Sequence, residues 1–550
     1  KNTPRAFDYF SGTPADFVAA YNHQRDCGSV LFASRDQSFG KKFWTWGTAR
    51  SGLIWENILT DADGQYIELQ SGRLLTQGDS WLFDPHLQES WQEYWFPIKQ
   101  MDGFASANQD AAVNFAARQG KLLVAINVTR PFLEATVSVA TAGGEIFRDA
   151  ANLRPGESWR REINAPPDPQ ACRLVVRDSR GKEIIAYSPK AEKSPPPELE
   201  PEMPSGESAS AEELCLAGYY AMKHWNEPQA VELFRRSLEK DPGFSPALRW
   251  LAAIDYKTGR FAEAARSADQ ALRRNEDDLM ARYYRALSRI ALGQSERVEE
   301  DLDLLGRRAA FRHVVPYVQA SRAIAAGELP RAAALLGRAV HENPDDLKAK
   351  TALACILRHE GRADEAAPMV NGVLRADPLN SLAAMEKALL GAGDEQLAVY
   401  GDDPQYYLEA ACDYLQMNLA DDAAAVLALR QSRRPAAPHP MVCLYRGYLA
   451  DRSGKRAEAL RHYTEGAELP VDYVFPFRTE TLAVLETGLR LLPDNWRLHY
   501  WLGTLLVAKQ RWEEGFEHLL AAERQQPDCA VLYRNLGEIY WQKAQDLEKA

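Results

Sequence analysis

Gly259, Gly293, Gly327 and Gly361 stand 34 residues apart. A fixed period of that length constrains the fold more than any other feature of the chain, because each period must be one structural unit stacked on the next. Pro242, Pro344 and Pro378 fall on the same lattice, and Ala264, Ala332 and Ala366 hold a further fixed position on it. Near the end, Leu502-Gly503 and Leu536-Gly537 are again 34 apart, with Pro527 between them at the expected offset. Each unit reads as two antiparallel helices. The glycine ends the first helix in the left-handed conformation, and the small alanine on the second lets the two helices approach closely. The proline ends the second helix because it cannot continue the backbone hydrogen bonds. The lattice runs over residues 212–550, with breaks of phase at about 391–440 and at 470–493.

Trp250-Leu251-Ala252 and Tyr533-Arg534-Asn535-Leu536-Gly537 carry a large-then-small pattern on the first helix. In these positions the chain resembles the tetratricopeptide-repeat (TPR) family, over most of residues 212–550. The resemblance implies an all-α solenoid with an incomplete last repeat and a concave groove suited to a protein or peptide partner. The run Val471-Asp472-Tyr473-Val474-Phe475-Pro476-Phe477-Arg478 is unlike a repeat. It reads either as a loop packing its aromatics on neighbouring helices or as one aimed at a partner domain or ligand. On the second reading the loop faces the β-rich part, and Arg478 reaches a carboxylate or a ligand oxygen.

Upstream, residues 190–211 hold Ser194-Pro195-Pro196-Pro197, several Glu and Ser, and almost nothing apolar, as a solvated linker does. Before it, short alternating runs such as Lys121–Asn127 and Cys172–Val176 are separated by Gly143-Gly144 and Pro155-Gly156. About seven strands at such spacing predict a small β-sandwich over residues 103–189.

Residues 1–102 differ in kind. Strands are expected at Ser29–Ala33, Lys42–Trp46, Tyr66–Gln70 and Trp91–Ile98. Six tryptophans, Trp44, Trp46, Trp55, Trp81, Trp91 and Trp95, crowd this stretch together with Asp61, Asp63, Glu68 and Arg73. Core packing explains any one indole. Aromatic faces beside carboxylates are also what a sugar site uses, since C–H faces stack on indoles and carboxylates accept hydroxyl hydrogen bonds. Alternation along Tyr66–Gln70 puts Tyr66, Glu68 and Gln70 on one face, expected to meet Trp44, Trp46 and Arg73, while Ile67 and Leu69 point into the core. So few strands are not expected to bury so many aromatics, so apolar surface is expected to remain.

The block from Gly40-Lys41-Lys42-Phe43-Trp44-Thr45-Trp46-Gly47 through Trp55 to Leu59–Arg73, with Tyr94-Trp95-Phe96-Pro97-Ile98 and Phe475–Arg478, resembles a bacterial family in which a domain of unknown function precedes tetratricopeptide repeats. The resemblance implies a larger β-rich part preceding residue 1. A more remote similarity links Tyr66–Gln70, Pro85 and Glu89-Ser90 to the last strands of galactose-mutarotase-like β-supersandwiches, which makes residues 1–102 the end of such a supersandwich. In that fold a Glu in a Leu-Glu-Pro-Gln-like strand is the catalytic base, and the carry-over lands on Glu68. Leu69 stands where Pro is usual, and His23 and His86 are only candidates for the family's histidines. The expected site is then Glu68, Asp61 and Asp63 as carboxylates, with Trp44, Trp46, Tyr66, Gln70, Arg73, Trp95 and Arg478 binding substrate. A turn-capping role competes for Asp61 and Asp63.

Composition narrows the remainder. A net charge of −12 argues against a nucleic-acid surface, and no apolar run is long enough to span a bilayer. The seven scattered cysteines form no Cys-x-x-Cys pair, so no metal is implied and a reducing, cytoplasmic setting is expected. Phosphate loops, metalloprotease motifs and nucleophile elbows are absent, and no cofactor is implied. Two functions remain. One is a carbohydrate-active, glycosidase-like protein with Glu68 as acid or base and the repeats flanking the site. The other is a repeat scaffold for a protein or peptide, with the β-rich part as a structural or glycan-binding module.

Overall fold

In a computed structural model of the chain, residues 4–60, 63–189, 209–393, 397–433, 437–541 and 548 are described. Most of the expected linker, residues 190–208, lies outside them, as does Asp61. The chain divides into two units, one of Lys1–Leu82, Glu89–Met203 and Met222–Trp225, the other of Phe83–Gln88, Pro204–Ala221 and Asn226–Ala550. The first is β-rich and the second is a TPR-like helical array. No described helix is long and apolar enough to cross a membrane.

In the first unit, β1 (Phe7–Ser11), β4 (Lys42–Trp46) and β5 (Ile67–Gln70) form one antiparallel sheet in the order β1-β4-β5. β2 (Phe17–Asn22), β3 (Cys27–Phe32) and β6 (Tyr94–Lys99) form another. Helix α1 (Arg50–Leu59), which the strand-centred reading of this stretch did not anticipate, follows β4. Two three-stranded sheets cannot enclose this many aromatics. Accordingly Phe7, Trp55, Ile58, Trp81 and Trp95 are all at least 44% exposed.

β7 (Ser106–Ala107), β8 (Ala111–Arg118), β9 (Lys121–Val128) and β12 (Trp159–Asn164) form one sheet of a sandwich. β10 (Phe132–Thr141), β11 (Gly144–Leu153), β13 (Arg173–Arg177) and β14 (Glu183–Tyr187) form the other. Alternation fills the space between them: Val113, Phe115, Val124 and Ile126 from one sheet meet Val137, Val139, Leu174 and Val176 from the other. The opposite face of β8 and β9 offers Ala112 and Ala125, small enough for Val30, Ile98 and Met101 to lie on them. Two buried asparagines lock that junction. Asn114 Nδ2 donates to the carbonyls of Met101 (2.7 Å) and Asp102 (3.0 Å), and Asn127 Oδ1 accepts from the Lys99 amide at 2.8 Å. The Tyr21 hydroxyl accepts from the Met101 and Asp102 amides and donates to Asp26 at 2.5 Å, which holds the Asp26 carboxyl below its ordinary range.

The helical unit opens at α2 (Ala211–Lys223), where Ser210 and Glu213 cap each other's amides reciprocally. Pairs follow as α3 (Glu227–Lys240) to α12 (Ser381–Leu389) and α13 (Pro404–Gln416) to α20 (Ala530–Ile539). No strand occurs among its described residues. The lattice glycines sit at φ between +70° and +79°, as the turn requires. Trp225, one period before Gly259, takes the same left-handed turn at φ +64°, and so do Asn418, inside the first phase break, and Gln510, after the second. The lattice alanines Ala264, Ala332 and Ala366 are fully buried, and so is Ala230 one period earlier. A second lattice emerges at helix starts. Asp278, Asp346 and Asn380 cap the amides of Ala281, Ala349 and Ala383 at 2.8–3.0 Å.

The array coils back on itself. At Gly259 a Cβ would lie 2.7 Å from the Leu482 side chain, so this turn needs glycine for space as well as for its φ. The Thr479 hydroxyl donates to Lys257 O, and Arg260 donates to Gln510 O at 3.2 Å. Between α10 (Leu347–His359), α12 and α13 lies Glu386, wholly buried. It accepts from Arg358 Nε at 2.6 Å and the Tyr414 hydroxyl at 2.7 Å, and Arg358 also pairs with Asp422 at 3.1 Å. Removing this carboxylate leaves a cation without its main counter-charge in the core. Glu386→Ala is therefore expected to cost about 3–5 kcal/mol, measured by urea unfolding; a loss below 1 kcal/mol would show the network to be dispensable. Asp255 gives a pH test. Burial raises its pKa to about 6, against the opposing pull of Arg260 at 3.8 Å. A raised carboxyl pKa favours the folded state at low pH and loses that favour as pH rises from about 4 through 6, a penalty of roughly 3 kcal/mol at neutrality. Asp255→Asn should raise Tm at pH 7.5 and not at pH 4; an equal gain at both pH values refutes the linkage.

Candidate functional site

The expected aromatic–carboxylate face forms around β4 and β5. Register sets Trp44 opposite Glu68 and Lys42 opposite Gln70. Trp44 lies edge-on to Trp46 with centroids 4.3 Å apart, and Tyr66 sits 6.1 Å from both. Trp55, delivered by α1, stacks on Trp46 at 6.3 Å. Half-buried Glu68 accepts from Gln70 Nε2 at 2.9 Å. Trp44, Trp46, Tyr66, Glu68 and Gln70 thus come together.

Other expected members have partners and positions of their own. Ile67 was expected in the core and is 47% exposed, because β5 is the edge strand of a three-stranded sheet. Arg73 bonds Glu89 at 2.7 Å. Trp95 stands on β6, in the other sheet. Asp63 is exposed on the turn after α1, its amide donating to Thr60 O. His23 sits at 3.8 Å from Asp102.

Three residues of this region escaped the sequence reading. Glu93 accepts from the indole N–H of Trp91 at 2.9 Å and of Trp95 at 3.0 Å, so two exposed tryptophans flank one carboxylate. The alternation Trp91-x-Glu93-x-Trp95 was the signal that could have found it. Lys41 and Lys42 are buried, and burial pushes both below the ordinary lysine range. Lys42 Nζ donates to Leu74 O at 2.8 Å. Among the described residues no group of His, Cys, Asp and Glu is arranged to hold a metal.

In the helical unit, Arg478 donates to Glu409 at 2.7 Å and lies over the Phe477 ring. The run 473–478 borders a cavity of 210 Å³ also lined by Leu408, His439, Met441 and Tyr445. Tyr473 is 93% exposed, Phe475 56% and Phe477 55%. Burial, reinforced by Arg430, lowers the His439 imidazole to about 4, so it is neutral at physiological pH. Elsewhere on the array, Phe83–Gln88 is held by the helices. The Tyr284 hydroxyl donates to Asp84 Oδ1 at 2.5 Å, the Tyr283 hydroxyl donates to Pro85 O, and Gln88 Nε2 donates to Asp345 O at 2.7 Å. The His86 ring lies 5.6 Å from that of Tyr317. His86, weighed as a mutarotase-type histidine, is thus seated among the helices of the array.

Residues 4–98 match a domain of unknown function (DUF5107), and residues 106–187 match the second domain of YphG-like proteins. Residues 227–290, 317–381 and 480–530 match tetratricopeptide repeats. Among solved structures, a tetratricopeptide repeat protein from Parabacteroides merdae is 17% identical, with 52% of this chain and 97% of that one covered at a TM-score of 0.33. Human IFIT1, solved as a dimer with m7Gppp-AAAA, is 16% identical over 58% of this chain and 72% of its own, at a TM-score of 0.29.

Proposed function

We propose that this chain, in which DUF5107 and YphG-like domains precede tetratricopeptide repeats, is a scaffold whose helical array binds an extended segment of a protein partner. One observation carries the reading. Where the repeat lattice breaks, the inserted run exposes Tyr473, Phe475 and Phe477 beside a 210 Å³ cavity with mixed apolar and polar walls. A run that only joined two helices would gain by burying such rings. Exposed aromatics around a pocket are what a peptide anchor uses. Arg478, held by Glu409, stands at the rim as a donor for a backbone carbonyl or a carboxylate.

The test is selection of binders from a displayed random-peptide library on the intact chain, followed by titration of a selected peptide. Phe477→Ala and Arg478→Ala are each expected to weaken binding at least about tenfold, as anchor residues do. A peptide bound equally well by both variants, or a library that yields no binder, refutes this site.

A second reading belongs to the β-rich unit, where exposed Trp91 and Trp95 hold Glu93 between them and Trp44 faces Glu68. This supports glycan binding ahead of hydrolysis. A glycosidase needs two carboxylates about 5–10 Å apart, and the bond described for Glu68 is to the Gln70 amide. On a glycan array, Trp95→Ala should abolish any signal from this surface. If the unit does hydrolyse its ligand, Glu68→Gln should lower the rate at least about 100-fold and leave binding intact; an unchanged rate removes Glu68 from the chemistry.

A further inference from the structure

We propose that the face of the array formed by α6 (Leu279–Ala291), α8 (Val314–Ala325) and the start of α10 is a second peptide site, and that residues 83–88 are its built-in occupant. A partner segment of the same chemistry, a carboxylate followed by proline, an aromatic or imidazole ring and an aliphatic side chain, would have to displace them. This does not rest on the cavity beside Phe475.

Successive residues of the segment are each met by a different kind of group. Asp84 gives its carboxylate to Tyr284, and Pro85 its main-chain carbonyl to Tyr283. His86 lays its ring by Tyr317, Leu87 packs on the apolar cluster containing Leu287, Val314 and Val318, and Gln88 donates to the Asp345 carbonyl. Side-chain and main-chain groups are thus read together over five residues, which is how a receptor reads a linear motif. The tyrosines are poised for it. Both are buried with the segment in place, and burial keeps their hydroxyls protonated, hence donors. Lys348 adds a cation 5.9 Å from the Tyr317 ring, and burial beside that cation lowers the His86 imidazole to about 3, so the ring is seated neutral. The segment is also preshaped: Leu87 N donates to Asp84 O, closing a turn with Pro85 second and His86, at φ +59°, third.

The test uses the full chain with residues 83–88 replaced by Gly-Ser-Gly-Ser-Gly-Ser and a fluorescein-labelled synthetic peptide of residues 81–90. The replaced chain is expected to bind the peptide at least tenfold more tightly than the native chain. Tyr284→Phe in the replaced chain, or Leu87→Ser in the peptide, should reverse that gain. Equal binding to both chains, or no binding to a replaced chain whose far-ultraviolet circular dichroism is native, overturns the proposal. If the replaced chain loses its helical signal, Leu87→Ser in the full chain takes its place, with the same outcomes. Hydrogen exchange on the native chain decides independently. Faster exchange of residues 83–88 when excess peptide is added, with α6 still protected by the peptide that replaces them, is expected only if the tethered segment is being displaced. Exchange there that follows global unfolding alone overturns it.

Discussion

Everything in the helical unit depends on one constraint: a pair of amphipathic helices can bury its apolar face only against the next pair. That is why the positions of closest approach admit no side-chain freedom. Ala230, Ala264, Ala332 and Ala366 have no accessible surface, and Gly259 would strike Leu482 with a single added carbon. The same stacking forces charge into the interior where pairs meet. Glu386 survives there because Arg358, Tyr414 and Cys355 all point at it, and Asp301 because Arg282 and Arg285 do. Such networks contribute little net stability over an apolar core. Losing one partner is costly, however, so they fix which helix faces which.

The β-rich unit solves the opposite problem. Its sandwich closes, with a core shared by two sheets, whereas its first hundred residues leave edges and indoles on the surface. Hydrogen bonds fix the geometry of the junction between the two. Asn114, Asn127 and Tyr21 satisfy backbone groups of residues 99–102, where Gln100, Asp102 and the adjoining Gly103 all adopt positive φ. Buried polar groups that are fully paired specify one geometry, so the strand carrying Trp95 is held at a fixed position relative to the sandwich.

How much of this was legible depended on the range of the interaction. The 34-residue lattice announced the array because each repeat meets the same local requirement at the same place. The face joining Trp44 to Glu68 followed from period-2 alternation once the strands were located. What stayed hidden was set by contacts distant in sequence. Arg73 finds Glu89, and Arg478 finds Glu409 across 69 residues. Neither spacing carries a signature. Helix α1 was missed because it is apolar over Leu53, Ile54, Trp55, Ile58 and Leu59, too broad a stripe to show one buried face, and these side chains are indeed exposed. The capping lattice at Asp278, Asp346 and Asn380 was readable in principle, yet Arg312 interrupts it at the intervening period.

Left-handed residues other than glycine sort the departures from regularity into two kinds. Trp225, Asn418 and Gln510 take positive φ at the turn between paired helices, where the repeat itself demands it. Asn418 adds a side-chain bond to Ser321, so its conformation has a structural partner. His86 and Tyr473, both at φ +59°, meet a different local demand, each being the third residue of a hydrogen-bonded turn in which Leu87 N donates to Asp84 O and Val474 N to Val471 O. One lies where the array holds a segment from outside the repeats; the other lies where an insertion leaves its own ring 93% exposed. Neither turn belongs to the repeat, so each marks a place where the chain departs from the lattice. The His86 turn meets tyrosines of the array, whereas the Tyr473 ring has almost no cover among the described residues, so two turns alike in backbone differ in what the side chain at their third position meets.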